Sequence, residues 1–149
     1  MIWLHPGSFF AYHGANSDTT DPSMFVKNDI IVVSLNYRLG AFGFLGVGDH
    51  GGNYGFLDQQ MAMEWVQTNI ESFGGDPEKV TLMGESAGAM SVGLHLASPS
   101  SDGLFTAAIM QSNPIGFRYA SRDENNNIAQ FLMAVLGCAD ITCMRLIPA

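Results

Sequence analysis

The sequence predicts an α/β fold with a mainly parallel central sheet and flanking helices. Three observations predict it. Short apolar runs rich in β-branched residues alternate with stretches of helical periodicity. One of those runs, Ile30-Ile31-Val32-Val33-Ser34-Leu35, is continuous rather than alternating, as expected of a strand covered on both faces. At Gly84-Glu85-Ser86-Ala87-Gly88 a strand passes into a helix through one sharp, glycine-flanked turn. With 149 residues, 47% of them hydrophobic and only 13% charged, the chain can build a real core and is not compositionally disordered.

The elements follow in order. Ile2-Trp3-Leu4 is a short apolar strand that ends in His5-Pro6-Gly7-Ser8. A small-residue loop just after a strand can turn backbone N–H groups toward an anion. Pro6 has no N–H, so the donors there are Gly7 and Ser8; a plain Pro-Gly turn is the simpler meaning of the same residues. Ala11 to Thr20 reads as polar loop, and Asp21-Pro22-Ser23 as the start of a short helix reaching about Lys27. After the Ile30–Leu35 strand, Leu39 to Gly55 is rich in Gly and Phe and reads as an ordered loop packed over the core. A helix runs from Phe56 to about Phe73, with Leu57, Met61 and Trp65 on one stripe and Ala62, Val66, Ile70 and Phe73 extending it. Gly74-Gly75-Asp76-Pro77 stops it. Val80 to Met83 is the strand before the turn, and the helix after the turn runs to about Ala97. Phe105 to Gln111 holds a short buried strand. Ser121-Arg122-Asp123-Glu124 is a capping-box start for a helix with Ile128, Phe131, Leu132 and Val135 on one face.

Charge and composition exclude some functions. The net charge is −8 and there is no basic run, which argues against a nucleic-acid partner. No apolar run is long enough to span a bilayer. Cys138 and Cys143 do not have zinc-site spacing; from spacing alone, a small-loop disulfide and two reduced core thiols both stand open. No signal peptide is expected within these residues ahead of the first strand. Met1 leads straight into that strand, so residues 1–149 read as a partial domain truncated at both ends.

The residue types at the turn suit one chemistry. Ser86 in a strained turn holds its Oγ clear of the backbone. Gly84 and Gly88 lack a Cβ, so strand and helix can pass close together. The helix starts at the serine, which brings its free N–H groups and positive dipole end to the reacting centre, and the Ala87 N–H can face a developing oxyanion. An idle serine in a glycine-rich turn is the bland alternative.

Taken together, the motifs resemble those of the type-B carboxylesterases of the α/β-hydrolase fold, the group that includes cholinesterases. The resemblance spans about Ile2 to Leu146. It rests on Trp3-Leu4-His5 with its loop, Asn36-Tyr37-Arg38-Leu39-Gly40, Gly43-Phe44-Leu45, Asn53-Tyr54-Gly55-Phe56-Leu57-Asp58-Gln59, Trp65-Val66-Gln67-Thr68-Asn69-Ile70, Phe73-Gly74-Gly75-Asp76-Pro77, Gly84-Glu85-Ser86-Ala87-Gly88 and Gln111-Ser112. It implies a serine esterase acting on small-molecule esters through an acyl-enzyme, with no cofactor and no metal. Ser86 would be the nucleophile, and Gly7, Ser8 and Ala87 the oxyanion-hole donors. Family members usually carry Gly-Gly-Gly where this chain has Pro6-Gly7-Ser8, so Ser8 adds a side chain that narrows the pocket. Glu85 matches a glutamate beside the nucleophile that is not the triad acid. Arg38 and Asp58 match a buried structural ion pair, and Cys138 and Cys143 a disulfide, which would place the protein outside the reducing cytosol, secreted or extracellular. The rival implication is a catalytically inactive, cholinesterase-like binding domain; an intact serine turn argues against it.

In this fold the triad runs Ser, then Asp or Glu, then His. His95, the only histidine after Ser86, lies on the same helix, about 13 Å along its axis and on roughly the opposite face. It is expected to be a core or surface helix residue. His5, His13 and His50 precede the nucleophile and fit no triad role, with His5 shaping the loop it borders. Asp102, Asp123, Glu124 and Asp140 match no triad position. The general base and its orienting acid are therefore expected outside these residues.

Overall fold

In a computed structural model of the protein, residues 1–15 and 21–148 are described; positions 16–20 of the polar loop read over Ala11 to Thr20 lie outside them. Four strands form one sheet: β1 (Ile2–Leu4), β2 (Val33–Ser34), β3 (Thr81–Glu85) and β4 (Ala107–Gln111). Their order is β2-β1-β3-β4, and every pairing is parallel. The helices are α1 (Ser23–Val26), α2 (Gly40–Phe44), α3 (Tyr54–Asn69), α4 (Ala87–Ala97), α5 (Arg122–Leu136) and α6 (Ile141–Met144). Short 3₁₀ turns cover Ile70–Phe73, Pro77–Lys79 and Pro99–Ser101.

The core forms where α3 and α4 meet the middle strands. Ile2, Leu4, Leu82 and Val80 from the sheet region pack with Met63, Val66 and Ile70 from α3 and its continuation and with Val92 from α4. Burying side chains of this size stabilises by about 1.5–3 kcal/mol each. Gly74, at φ 83, ends the Ile70–Phe73 turn in the left-handed conformation, and Gly75 N–H returns to the Ile70 carbonyl.

Several expectations require correction. Only Val33–Ser34 of the Ile30–Leu35 run joins the sheet. It is the outer strand, and Ile31, Val32 and Val33 are half-buried rather than covered on both faces. β4 is the other outer strand and is mostly exposed, not buried. On α3 the buried positions are Gly55, Gln59, Met63 and Val66, whereas Leu57, Met61 and Trp65 face outward. Val66 and Ile70 are buried as expected, but the inward stripe runs through Gln59 and Met63 rather than Leu57, Met61 and Trp65, because the glutamine finds a buried partner. The Leu39–Gly55 stretch is ordered, as expected, but contains α2, whose Phe44 meets Phe9 edge-on. On α5, Ile128, Phe131 and Val135 are exposed, and Ala129 is its only buried residue.

Candidate active site

β1 and β3 are adjacent and parallel, with Leu4 opposite Gly84. The loop after β1 and the turn after β3 therefore leave the sheet at the same end, beside each other. In a parallel α/β sheet, that carboxyl end is where ligands bind.

Ser86 occupies the turn itself, at φ 53 and ψ −116. A non-glycine residue rarely adopts this conformation, and holding it costs on the order of 1–3 kcal/mol. Two hydrogen bonds and two close backbone contacts hold it. Ser86 N–H donates to the Gln111 carbonyl of β4 at 3.0 Å, and the Ser86 carbonyl accepts the Met90 N–H at 2.9 Å to open α4. A Cβ on Gly84 would overlap the Gly88 backbone, and one on Gly88 would overlap the Leu4 carbonyl. Helix, strand and neighbouring strand thus touch backbone to backbone at this point, which only glycine permits. The Ser86 side chain remains partly accessible, and Ala87 is buried.

The facing loop is also unusual. Gly7, Ser8 and Phe9 have φ values of 116, 53 and 65. The Gly7 carbonyl accepts from Phe10 and Ala11 N–H at 3.0 Å each, and the Phe9 carbonyl accepts from Gly40 N–H at 2.7 Å. Among the described residues, the Gly7 and Ser8 N–H groups donate to no protein acceptor. His5 anchors the start of the loop. Its ring is buried, Nδ1 donates to the Pro6 carbonyl at 2.7 Å, and Tyr37 stacks on it at 4.4 Å while donating its hydroxyl to the His5 carbonyl at 3.0 Å. The proton sits on Nδ1 because a carbonyl can only accept. Burial pushes the His5 pKa down and the Tyr37 pKa up, so both stay neutral.

His95 is buried, with its two ring nitrogens bonded to Ser101 Oγ at 2.8 Å and Gln59 Oε1 at 3.1 Å rather than to Ser86. His13 and His50 are exposed. Glu85 sits at the end of β3 with a partly exposed side chain. Arg38 and Asp58 do pair, through Nε and Nη2 to the two carboxylate oxygens at 2.7 Å each. They are not buried, however: the side chains are 52% and 22% exposed. The guanidinium also lies 5.1 Å from the Tyr54 ring centre. Hydrogen bonding from Arg38 holds the Asp58 carboxyl below its usual range. Cys138 and Cys143 are joined by a disulfide. Among the described residues, no three His, Cys, Asp or Glu side chains are grouped to hold a metal.

Sequence reasoning missed the Tyr37 brace and the role of Gln59. A signal for Gln59 was present: Gln59, Met63, Val66 and Ile70 share one helical stripe, and a polar residue within an apolar stripe marks a buried partner.

Residues 1–149 match the carboxylesterase family. The chain belongs to that family. It is 46% identical to the acetylcholinesterase of Electrophorus electricus over 97% of its own length and 25% of that protein's. It is 44% identical to the juvenile hormone esterase of Tribolium castaneum over its whole length and 27% of that protein's. Among solved structures, a thermophilic PNB esterase superposes with a TM-score of 0.85 at 41% identity, over 92% of this chain and 29% of that one. The fold is that of the α/β-hydrolases. The chain spans about a quarter of the length of the curated relatives it matches.

Proposed function

We propose that this chain carries the nucleophile and oxyanion hole of a serine carboxylesterase acting on small-molecule esters. The observation that carries the reading is Ser86 at φ 53 and ψ −116, where a strand of the sheet passes into the N-terminus of α4. A strained, partly exposed serine at a helix N-terminus is the arrangement that nucleophilic acyl transfer needs. Ser86 Oγ adds to the ester carbonyl carbon. The oxyanion that forms takes hydrogen bonds from the N–H groups of Gly7, Ser8 and Ala87. The Leu4–Gly84 register supports this set because it brings the two loops to one sheet end. The alcohol leaves, an acyl group remains on Ser86, and water releases the acid.

The proton taken from Ser86 needs a base. Both ring nitrogens of His95 are bonded elsewhere, and His5, held by the Pro6 carbonyl and Tyr37, makes no bond to Ser86, so this reading takes the base and its acid from outside these 149 residues, which form one part of the catalytic domain. Glu85, next to the nucleophile, contributes negative charge near the helix N-terminus rather than completing a triad. The chemistry requires neither cofactor nor metal. The charge of −8 disfavours nucleic acid, and the Cys138–Cys143 bridge favours a secreted or extracellular location. No described helix is long and apolar enough to cross a membrane.

The test is fluorophosphonate treatment of the full-length protein, with the adduct mapped by mass spectrometry. The label is expected on Ser86 and is expected to vanish in Ser86→Ala. Labelling elsewhere with Ser86 unmodified overturns the assignment.

A further inference from the structure

The proposed chemistry uses only the first turn of α4. Farther along, the helix carries buried polar groups that the chemistry leaves unused. Gln59, Ser91, His95 and Ser101 are each no more than 2% exposed, and they come from α3, from α4 twice and from the Pro99–Ser101 turn. They form one unbroken chain. Ser91 Oγ lies 3.1 Å from the Ala87 carbonyl, Gln59 Nε2 lies 3.1 Å from Ser91 Oγ, Gln59 Oε1 lies 3.1 Å from His95 Nε2, and His95 Nδ1 lies 2.8 Å from Ser101 Oγ.

The direction of every proton follows from the closed end. The Ala87 carbonyl can only accept, so Ser91 donates to it. The Ser91 hydroxyl has one proton, so it accepts from the Gln59 amide. Gln59 then turns its oxygen to His95, whose Nε2 must carry hydrogen. The neutral ring offers the Nδ1 lone pair to Ser101. Phe56 stacks on the imidazole at 4.0 Å and 15°, which fixes the ring plane. Burial pushes the His95 pKa down to about 4, so the ring stays neutral around pH 7.

Apolar side chains would fill this space with less desolvation, but they would allow α4 to slide or rotate by fractions of an ångström. A directional chain of hydrogen bonds does not, because each bond is lost on displacement. The chain ends on Ala87, the residue after Ser86. We propose that Gln59, Ser91, His95 and Ser101 form a positioning unit that fixes the axial placement and rotation of α4, and with it the stance of Ser86 Oγ and the Ala87 N–H toward the Gly7–Ser8 loop. This rests on the esterase reading above. None of the four is a catalytic residue.

The experiment uses the full-length protein with p-nitrophenyl acetate turnover and the rate of fluorophosphonate labelling. The variants are His95→Phe, which keeps the stacking shape, Gln59→Leu, and the two combined. Melting midpoints are measured alongside, and kinetics are run well below them. Misplacing a nucleophile by a fraction of an ångström to 1 Å is expected to lower kcat and labelling about 10- to 100-fold with KM within about twofold. The double variant is expected to be no worse than either single one, because the residues act as a unit. His95→Gln, which restores a donor, is expected to recover part of the loss. Lower melting midpoints with kcat within about twofold of wild type, losses that multiply in the double variant, or losses expressed in KM overturn the proposal. If His95→Phe fails to fold, Ser91→Ala and Ser101→Ala each remove one link at nearly constant shape; unchanged kcat in both overturns it equally. Wild-type protein that labels nowhere, or not at Ser86, identifies a failure of the esterase reading instead, and the positioning proposal falls with it.

Discussion

Helices α4 and α5 are held in opposite ways. Seven residues of α4 are buried, Ala87 to Val92 and His95, yet its N-cap makes no side-chain hydrogen bond. On α5 only Ala129 is buried, yet Ser121 and Glu124 form a complete capping box, Arg118 pairs with Glu124, and Gly137 closes the helix in the left-handed conformation at φ 67. One helix depends on its neighbours and the other on its own ends. The proposed nucleophile stands on the first kind. Placement to a fraction of an ångström comes from close packing and shared hydrogen bonds, whereas a cap determines only that a helix exists.

Four measurements would break or sharpen that contrast. The largest effect is expected for Gly88→Ala, whose Cβ meets the Leu4 carbonyl with no flexible side chain to yield. It should cost about 3 kcal/mol or more in denaturant unfolding of the full-length protein, and a loss under 1 kcal/mol would mean that β1 and α4 are not locked together. His95 comes next. Its folded pKa of about 4 lies below the free value of 6.5. The unfolded chain therefore binds a proton first as pH falls, so the contribution is complete above about pH 6.5 and is lost progressively toward pH 4. Wild type should lose on the order of 2–3 kcal/mol across that window beyond what His95→Phe loses, and parallel curves would show that the ring is not held neutral by burial.

Ser121→Ala should cost about 1 kcal/mol, the usual worth of an N-cap, with ester turnover unchanged. An equal fall in kcat would tie α5 to the site and erase the contrast. The smallest effect is expected at the Arg38–Asp58 pair. Because Arg38 is half exposed, Arg38→Met and Asp58→Asn should each shift the unfolding midpoint only slightly, and the shift should shrink further in high salt. A large, salt-independent loss in either variant would show the pair to be buried in the full-length protein.

The same contrast explains what could be read from the sequence. The signals for α5 are local, so Ser121 and Glu124 announced its start correctly. The parallel sheet and the turn at Ser86 were also legible, because alternating element types and a glycine-flanked serine are local patterns. Which side of α3 faces inward was not. Leu57, Met61 and Trp65 make the more apolar stripe, but Gln59 goes inside because His95 and Ser91 are there to bond it. The stripe of Gln59, Met63, Val66 and Ile70 hints at a buried polar partner, but that partner lies more than thirty positions away and has no local mark. Sheet order was hidden for the same reason. Ile30–Leu35 and Ala107–Gln111 have central-strand composition but sit at the two edges of the four-stranded sheet. At the site, the strained serine was visible, whereas the clamp of Tyr37 on His5 was not, since nothing near Tyr37 in sequence points to it.

The conformation of Ser86 also shapes which mutations this chain can absorb. At φ 53 and ψ −116 a glycine would be at ease where any side chain is strained. Ser86→Gly should therefore fold at least as stably as the native chain, while Ser86→Ala retains the strain. On the proposed reading, the most disabling substitution for catalysis would thus be one that the fold itself welcomes. A lineage no longer selected for hydrolysis has an easy exit at this position, toward glycine. The serine that stands there is a residue the scaffold does not need and would be rid of at a gain.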